Sequence, residues 1–159
     1  MNWSDYPNFS AQEFNCSHCG QNEMKPEFMA KLQKLRETYG SPMKVTSGYR
    51  CPQHPIEAKK ASPGAHASGL ACDIGVQGEE AHRLLALALE AGFTGIGVQQ
   101  KGSGRFLHLD TRPEKALWSY SPAVVLPRQV VFTSSLDASR SLAAVPRCGD
   151  LRCTVSLYS

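Results

Sequence analysis

The chain has 159 residues, of which 42% are hydrophobic, which is enough for one domain with a single core. Its formal net charge is +3, and the basic residues are scattered, which argues against a nucleic-acid-binding protein. No stretch approaches the roughly 20 apolar residues of a membrane helix, and the first residues lack the basic start and apolar run of a signal peptide. We therefore expect synthesis in the cytoplasm without a signal peptide, and no membrane insertion.

The first predicted element is a helix that begins at Pro26, because proline is favoured in the first helical turn, and ends at Gly40. Four large side chains share one face of this helix: Phe28, Leu32, Leu35 and Tyr39. Residues 43–47 predict a short strand that leads to a turn at Gly48. Residues 51–65 contain three prolines and little periodicity, which indicates a long loop.

The middle of the chain predicts three strands and a second helix. Residues 70–76 are typical of a strand, and residues 79–91 of a helix with acidic residues in its first turn. Residues 96–100 and 105–110 predict two further strands, joined by a hairpin loop at residues 101–104. The expected fold class is therefore α+β, with a small, mainly antiparallel sheet and helices packed on it.

The composition changes at Ser121, after which serine, valine, leucine and arginine dominate without helical periodicity. We therefore predict one domain over residues 1–120 and a C-terminal tail over residues 121–159, to which the sequence assigns no role.

Residues 66–73 form an H-x-x-G-x-A-x-D pattern, and a His-Leu-Asp sequence follows at residues 108–110. Catalytic zinc typically takes three nitrogen or oxygen ligands from the protein and leaves a fourth position for water. His66, Asp73 and His108 meet that need. A single histidine is more often a surface or hydrogen-bonded residue than a ligand, so only the combination predicts a metal site.

Strand pairing is required to bring these residues together. If the hairpin places the His108 strand beside the Asp73 strand, their side chains can point at one position. His108 and Asp110 would then lie on the same face of the sheet, because side chains alternate along a strand. The remaining histidines receive no role at this centre: His18, His54 and His82.

Three ordered motifs carry a family resemblance: Ser47-Gly48-Tyr49-Arg50, the pattern from His66 to Asp73, and Phe106-x-His108-x-Asp110. Together they resemble the zinc D-Ala-D-Ala carboxypeptidase and murein endopeptidase family (peptidase family M15, subfamily A), in the short form common in phages and prophages. The similarity runs from about Phe14 to Tyr120. It implies a Hedgehog/D-Ala-D-Ala-peptidase-like fold.

The resemblance also implies functions for individual residues. It implies three zinc ligands: His66, Asp73 and His108. It implies that Arg50 holds a substrate carboxylate or polarises the scissile carbonyl, and a guanidinium is suited to both tasks. Ser47 and Tyr49 are the neighbouring candidates for substrate binding, although Tyr49 is equally suited to packing.

Two departures from the family pattern affect the predicted chemistry. Many relatives have serine where this chain has Gly64, so a hydrogen bond behind the first ligand is expected to be missing. Relatives commonly place a general base where this chain has Arg105 and Phe106, and neither residue can accept the proton. Asp110 is the nearest carboxylate and our predicted general base. It could instead orient His108 or bind the metal itself.

The six cysteines are expected to be reduced, metal-bound or buried, since cytosolic thiols are kept reduced. Cys16-x-x-Cys19 and Cys51-x-x-His54 have the ligand types and spacing of a closed structural zinc site. The same thiols could form a disulfide, and the sequence leaves both alternatives open. Cys72 is interpreted as a small strand residue that faces the core.

Two functional hypotheses follow. The first is a zinc metallopeptidase that cuts the stem or cross-bridge peptides of peptidoglycan, as a D-Ala-D-Ala carboxypeptidase, a murein endopeptidase or a phage lysis enzyme. Arg50 and Asp110 would be its catalytic residues, and the chain is expected to act on the cell wall as a monomer after phage-mediated release. The second is a non-catalytic, zinc-containing wall-binding or phage tail module.

Overall fold

The computed structural model describes residues 1–120. Two short 3-10 helices, Trp3–Asp5 and Ala11–Phe14, precede helix α1 (Pro26–Tyr39) and strand β1 (Lys44–Ser47). The later elements are β2 (Ala71–Gly75), α2 (Gly78–Glu90), β3 (Gly95–Gln99), β4 (Phe106–Asp110) and β5 (Ala116–Ser119). The predicted tail, residues 121–159, lies outside the described residues.

Helix α1 has the predicted ends. Pro26 occupies its first turn, and Gly40 caps its C-terminus in the left-handed conformation with φ of 70°. The predicted apolar face is buried: Phe28, Leu32, Leu35 and Tyr39. Local signals therefore determined this helix correctly, because its caps and its apolar face are both encoded within a few neighbouring residues.

The strands form one sheet in the order β1-β2-β4-β3-β5. The pairs β1/β2, β2/β4 and β3/β4 are antiparallel, and β3/β5 is parallel. The predicted α+β class and mainly antiparallel sheet are therefore confirmed. Strand β5 was not predicted, because its four residues alternate between half-buried and exposed and carry only a weak apolar pattern.

Alternation along β2 and β4 separates the hydrophobic core from the polar face. Cys72 and Leu109 belong to the buried hydrophobic cluster that also contains residues of both helices. Side chains next to these core residues in each strand point to the opposite face of the sheet, and three of them are polar: Asp73, His108 and Asp110. The sheet thus has its core on one side and a buried polar cluster on the other.

The segment before α1 is held against the chain around this polar face. The amide of Tyr49 donates to the carbonyl of Phe14 at 2.9 Å, and the amide of Lys25 donates to the carbonyl of Gly69 at 3.0 Å. Gly69 has φ of +71°, and a Cβ there would lie 2.0 Å from the carbonyl oxygen of Glu23. Only glycine fits this contact. Within residues 1–120, no helix has the length and apolar character needed to span a membrane.

Candidate metal centre

Three ligand atoms converge on the polar face of the sheet. Strand pairing places Asp73 directly opposite His108, and His66 reaches them from the loop that precedes β2. Asp73 Oδ1 lies 2.9 Å from His108 Nδ1 and 3.2 Å from His66 Nε2, and the two imidazole nitrogens are 3.1 Å apart. All three side chains are buried. The structure therefore brings together the three residues that the sequence predicts as ligands.

The hydrogen bonds behind the imidazoles determine which nitrogens carry protons. His66 Nδ1 lies 2.6 Å from the carbonyl oxygen of Gly48, which can only accept, so Nδ1 is the donor. His108 Nε2 lies 2.9 Å from Asp110 Oδ2 and donates to it in the same way. With His66 Nδ1 and His108 Nε2 bonded in this way, His66 Nε2 and His108 Nδ1 are the nitrogens that could bind a metal, and both face Asp73.

Atoms with lone pairs repel one another at such distances unless a shared proton or a cation lies between them. Ligands about 2.0–2.2 Å from a tetrahedral zinc ion are separated by about 3.3–3.5 Å, close to the distances seen here. Two imidazoles and one carboxylate are also the donor types that such an ion takes. His66, Asp73 and His108 could therefore hold a metal ion.

The electrostatics of the cluster agree with this interpretation. Burial disfavours an ionised Asp73, but hydrogen bonds from His108 and His66 outweigh burial and hold the pKa of the carboxyl below its usual range. Burial lowers the pKa of His66. Burial also opposes a charge on His108, yet the carboxylates of Asp110 and Asp73 raise its pKa. A metal ion would take the place of a proton on His108, since ligands bind in their deprotonated form.

Arg50 contacts the second oxygen of Asp73. Its Nη2 donates to Asp73 Oδ2 at 2.6 Å, and its Nε donates to Ser47 Oγ at 3.0 Å. The buried carboxylate of Glu57 lies 3.9 Å from Arg50 Nη1 and accepts from the amide of Gly64 at 3.0 Å. Sequence analysis missed Glu57, because an acidic residue in a proline-rich loop gives no local signal of burial.

Asp110 lies behind His108, on the side of the ring away from the three converging atoms. Its side chain is 0% exposed. Besides His108, it binds the Nη2 of Arg112 at 2.5 Å and the backbone amide of Arg112 at 3.1 Å. Burial would raise the pKa of Asp110, but its bonds with His108 and Arg112 lower it. This arrangement favours the orienting role over the predicted general-base role.

The sequence model of the peptidase M15 family matches residues 7–110, which include the three converging residues and Arg50. The chain belongs to the peptidase M15 family. No curated protein matches it. Membership confirms the resemblance at the level of peptidase family M15 and places the protein among metallopeptidase hydrolases.

The predicted substrate-binding residues of this M15 family member have different surroundings. Ser47 is half-buried and accepts a hydrogen bond from Arg50, so it helps to fix the guanidinium. Tyr49 is 3% exposed and lies in the hydrophobic cluster, which favours the packing role that the sequence left open. Arg105, at one of the expected base positions, is exposed beside the hairpin loop, and Phe106 is half-buried.

An aromatic surface beside the M15 centre was also missed. The ring of Trp118 lies 5.2 Å from that of His108, and the guanidinium of Arg112 lies over Trp118 at 4.6 Å. Tyr120 lies next to Trp118, with ring centroids 6.3 Å apart. Both aromatic residues are half-buried and follow the matched range. They could be recognised only once β5 was known to pair with β3.

Proposed function

We propose that this M15 family member is a zinc-dependent peptidase that hydrolyses peptide bonds in bacterial peptidoglycan. The observation that supports it best is the convergence of His66 Nε2, Asp73 Oδ1 and His108 Nδ1 within 3.2 Å of one another. Zinc bound there would polarise the scissile carbonyl and make a water molecule acidic enough to attack at neutral pH.

The residues around the ligands have positioning roles in this proposal. The carbonyl of Gly48 orients His66, and Asp110 orients His108, each through the ring nitrogen that does not face the metal position. Arg50 balances the charge of Asp73. The side chain of Arg50 is 13% exposed, so part of the guanidinium can reach a substrate carboxylate or a developing oxyanion.

Peptidoglycan is the proposed substrate because the motifs around Arg50, His66 and His108 resemble those of wall-cutting members of the family. In a carboxypeptidase, Arg50 would bind the terminal carboxylate of the stem peptide. In an endopeptidase acting on cross-bridges, it would bind the carbonyl oxygen instead. Trp118 and Tyr120 offer an aromatic surface for the peptide beside His108. We propose that this activity serves as that of a phage lysis enzyme.

Mass spectrometry of purified peptidoglycan after incubation with the zinc-loaded full chain tests the proposal. Release of free alanine indicates a carboxypeptidase, and loss of cross-linked fragments indicates an endopeptidase. The His66→Ala variant is the control and should produce neither change. A zinc-loaded protein that leaves every fragment intact would contradict the proposal.

One observation favours the second hypothesis, a non-catalytic wall-binding or phage tail module. Asp110, the predicted base, is completely buried and is held by His108 and Arg112. A module of this kind would sediment with peptidoglycan without cutting it. The same incubation therefore separates the two hypotheses when pelleting is measured alongside fragment release.

A further inference from the structure

A second group of metal-binding side chains lies away from the M15 centre. The sulfur atoms of Cys16, Cys19 and Cys51 all lie within 4.8 Å of one another. Cys16 and Cys51 are buried, Cys19 is exposed, and all three are free thiols. Cys16 and Cys51 come from distant parts of the sequence, and three thiols that meet at one place are a ligand set typical of structural zinc.

The backbone shapes the cluster around Cys16. The chain reverses direction after the second 3-10 helix, where the amide of Gly20 donates to the carbonyl of Cys16 at 2.8 Å. The amide of Cys51 donates to the sulfur of Cys16 at 3.3 Å. A backbone donor to a sulfur stabilises its thiolate form, which is the form that binds metals.

One histidine ring contacts this group of thiols, but it is not His54, which the spacing suggested. His54 accepts from the amide of Ile56 through Nδ1 at 3.2 Å, so its Nε2 donates to Ser17 Oγ, also at 3.2 Å. Both ring nitrogens of His54 are therefore used. His18 Nδ1, in contrast, lies 3.4 Å from the sulfur of Cys51.

These separations leave room for a tetrahedral zinc ion. Zn–S bonds of about 2.3 Å and Zn–N bonds of about 2.0–2.1 Å place two sulfurs about 3.8 Å apart, and a sulfur and a nitrogen about 3.6 Å apart. We propose that Cys16, His18, Cys19 and Cys51 form a structural Zn²⁺ site. The proposal does not depend on the peptidase activity proposed above.

Such a site would join the N-terminal segment to the loop that carries Arg50. Cys51 follows Arg50 directly in the chain, and Arg50 contacts Asp73 at the M15 centre. A metal held by Cys16 and Cys51 would therefore fix the backbone next to Arg50. This site is a positioning device, and its loss should affect activity only through Arg50.

Metal counting on the full chain under reducing conditions tests the site. The parent protein should bind two equivalents of zinc, while His66→Ala and Cys19→Ser should each bind one and the double variant none. Cys19 is exposed, so its substitution should leave the fold intact. Cys72→Ala, which removes a buried thiol outside the cluster, should keep both ions. A single equivalent in the parent that His66→Ala abolishes would overturn the proposal.

Two measurements on protein that keeps all its cysteines distinguish the ligands without a cysteine variant. Cobalt bound by thiolates gives strong sulfur-to-metal charge-transfer absorption, which His66→Ala should retain, because the M15 centre contains no sulfur ligand. A mercurial thiol reagent should release the single zinc ion of His66→Ala completely. The proposal would be overturned by bound cobalt that lacks this absorption or by zinc that the reagent does not release. A disulfide between Cys16 and Cys19 that persists under reducing conditions would also overturn it.

The fourth ligand is tested by a matched pair of variants. His18→Asn should weaken zinc binding at the thiol site about 10-fold or more, whereas His54→Asn should leave the affinity unchanged. His18 is exposed, so unfolding is not expected to complicate the result. The reverse pattern would overturn the assignment of His18. Hydrolysis that fails while both ions load normally would instead contradict the proposed peptidase function.

Discussion

Asp73 and His108 are direct partners across the β2/β4 pair, with Asp73 Oδ1 2.9 Å from His108 Nδ1. Backbone hydrogen bonds of the sheet therefore fix two of the three candidate ligands relative to each other. The third, His66, comes from a loop and is fixed by its bond to the carbonyl of Gly48. The M15 centre is thus a rigid pair of ligands that a loop residue completes.

His66→Ala and Asp73→Ala should each remove most of the zinc bound at this centre, because one of three protein ligands is lost. The two variants should differ when the metal is removed. Asp73→Ala removes the carboxylate closest to Arg50, so we expect it to lower the free energy of unfolding of the metal-free protein more than His66→Ala does. Zinc analysis and urea unfolding in a chelator measure both effects. Near-stoichiometric zinc at this centre in both variants would contradict the ligand assignment.

Asp110→Asn should weaken zinc binding and turnover together, by about 10-fold to 100-fold, if Asp110 orients His108. The carboxylate accepts from both His108 and Arg112, and an amide has one oxygen with which to do so. Zinc titration and peptidoglycan hydrolysis, measured on the same preparation, test this. An unchanged zinc affinity with turnover reduced on the order of 100-fold would instead support the general-base role.

Arg50→Lys should keep zinc but lower turnover by about 10-fold to 100-fold, the range expected for one lost hydrogen bond to a charged group. An ammonium cannot contact Ser47, Asp73 and the substrate together as the planar guanidinium can. The measurement is the rate of peptide release at equal zinc content. Unchanged turnover would show that Arg50 only balances the charge of Asp73.

Gly95→Ala should destabilise the protein and the metal centre, because a Cβ there would lie 1.9 Å from Asp110 Oδ1. Asp110 is completely buried and cannot move without losing its partners, so we expect a loss of about 1–3 kcal/mol in the free energy of unfolding. Gly104→Ala is the matched control, since nothing lies within 4 Å of the added carbon. Thermal unfolding of both variants provides the comparison, and equal stability would contradict the prediction.

Deletion of residues 121–159 should leave a folded, zinc-binding domain, because the family match and both candidate metal sites lie before residue 121. Soluble yield, circular dichroism and zinc content of the truncated chain test this. Loss of soluble protein would place apolar residues of the tail in the core: Val124, Val125, Val130, Val131 and Phe132.

The sequence by itself determined the elements whose signals are local. Pro26 and Gly40 delimit α1 through their own backbone preferences, and an apolar face at helical spacing fixes its orientation. Alternation along a strand placed His108 and Asp110 on one face before any pairing was known. The ordered motifs then identified the three candidate metal ligands.

Only the tertiary structure decided what those residues face. Asp110 turned out to lie behind His108 because β3 and Arg112 enclose it. The ring of His18 meets the sulfur of Cys51, whereas the ring of His54 bonds to Ser17 and Ile56, although both histidines are close in sequence to cysteines. The parallel pairing of β5 with β3 brought Trp118 beside His108. Each of these contacts joins segments that are distant in sequence, and their geometry depends on how the whole chain packs, which no local pattern of residues encodes.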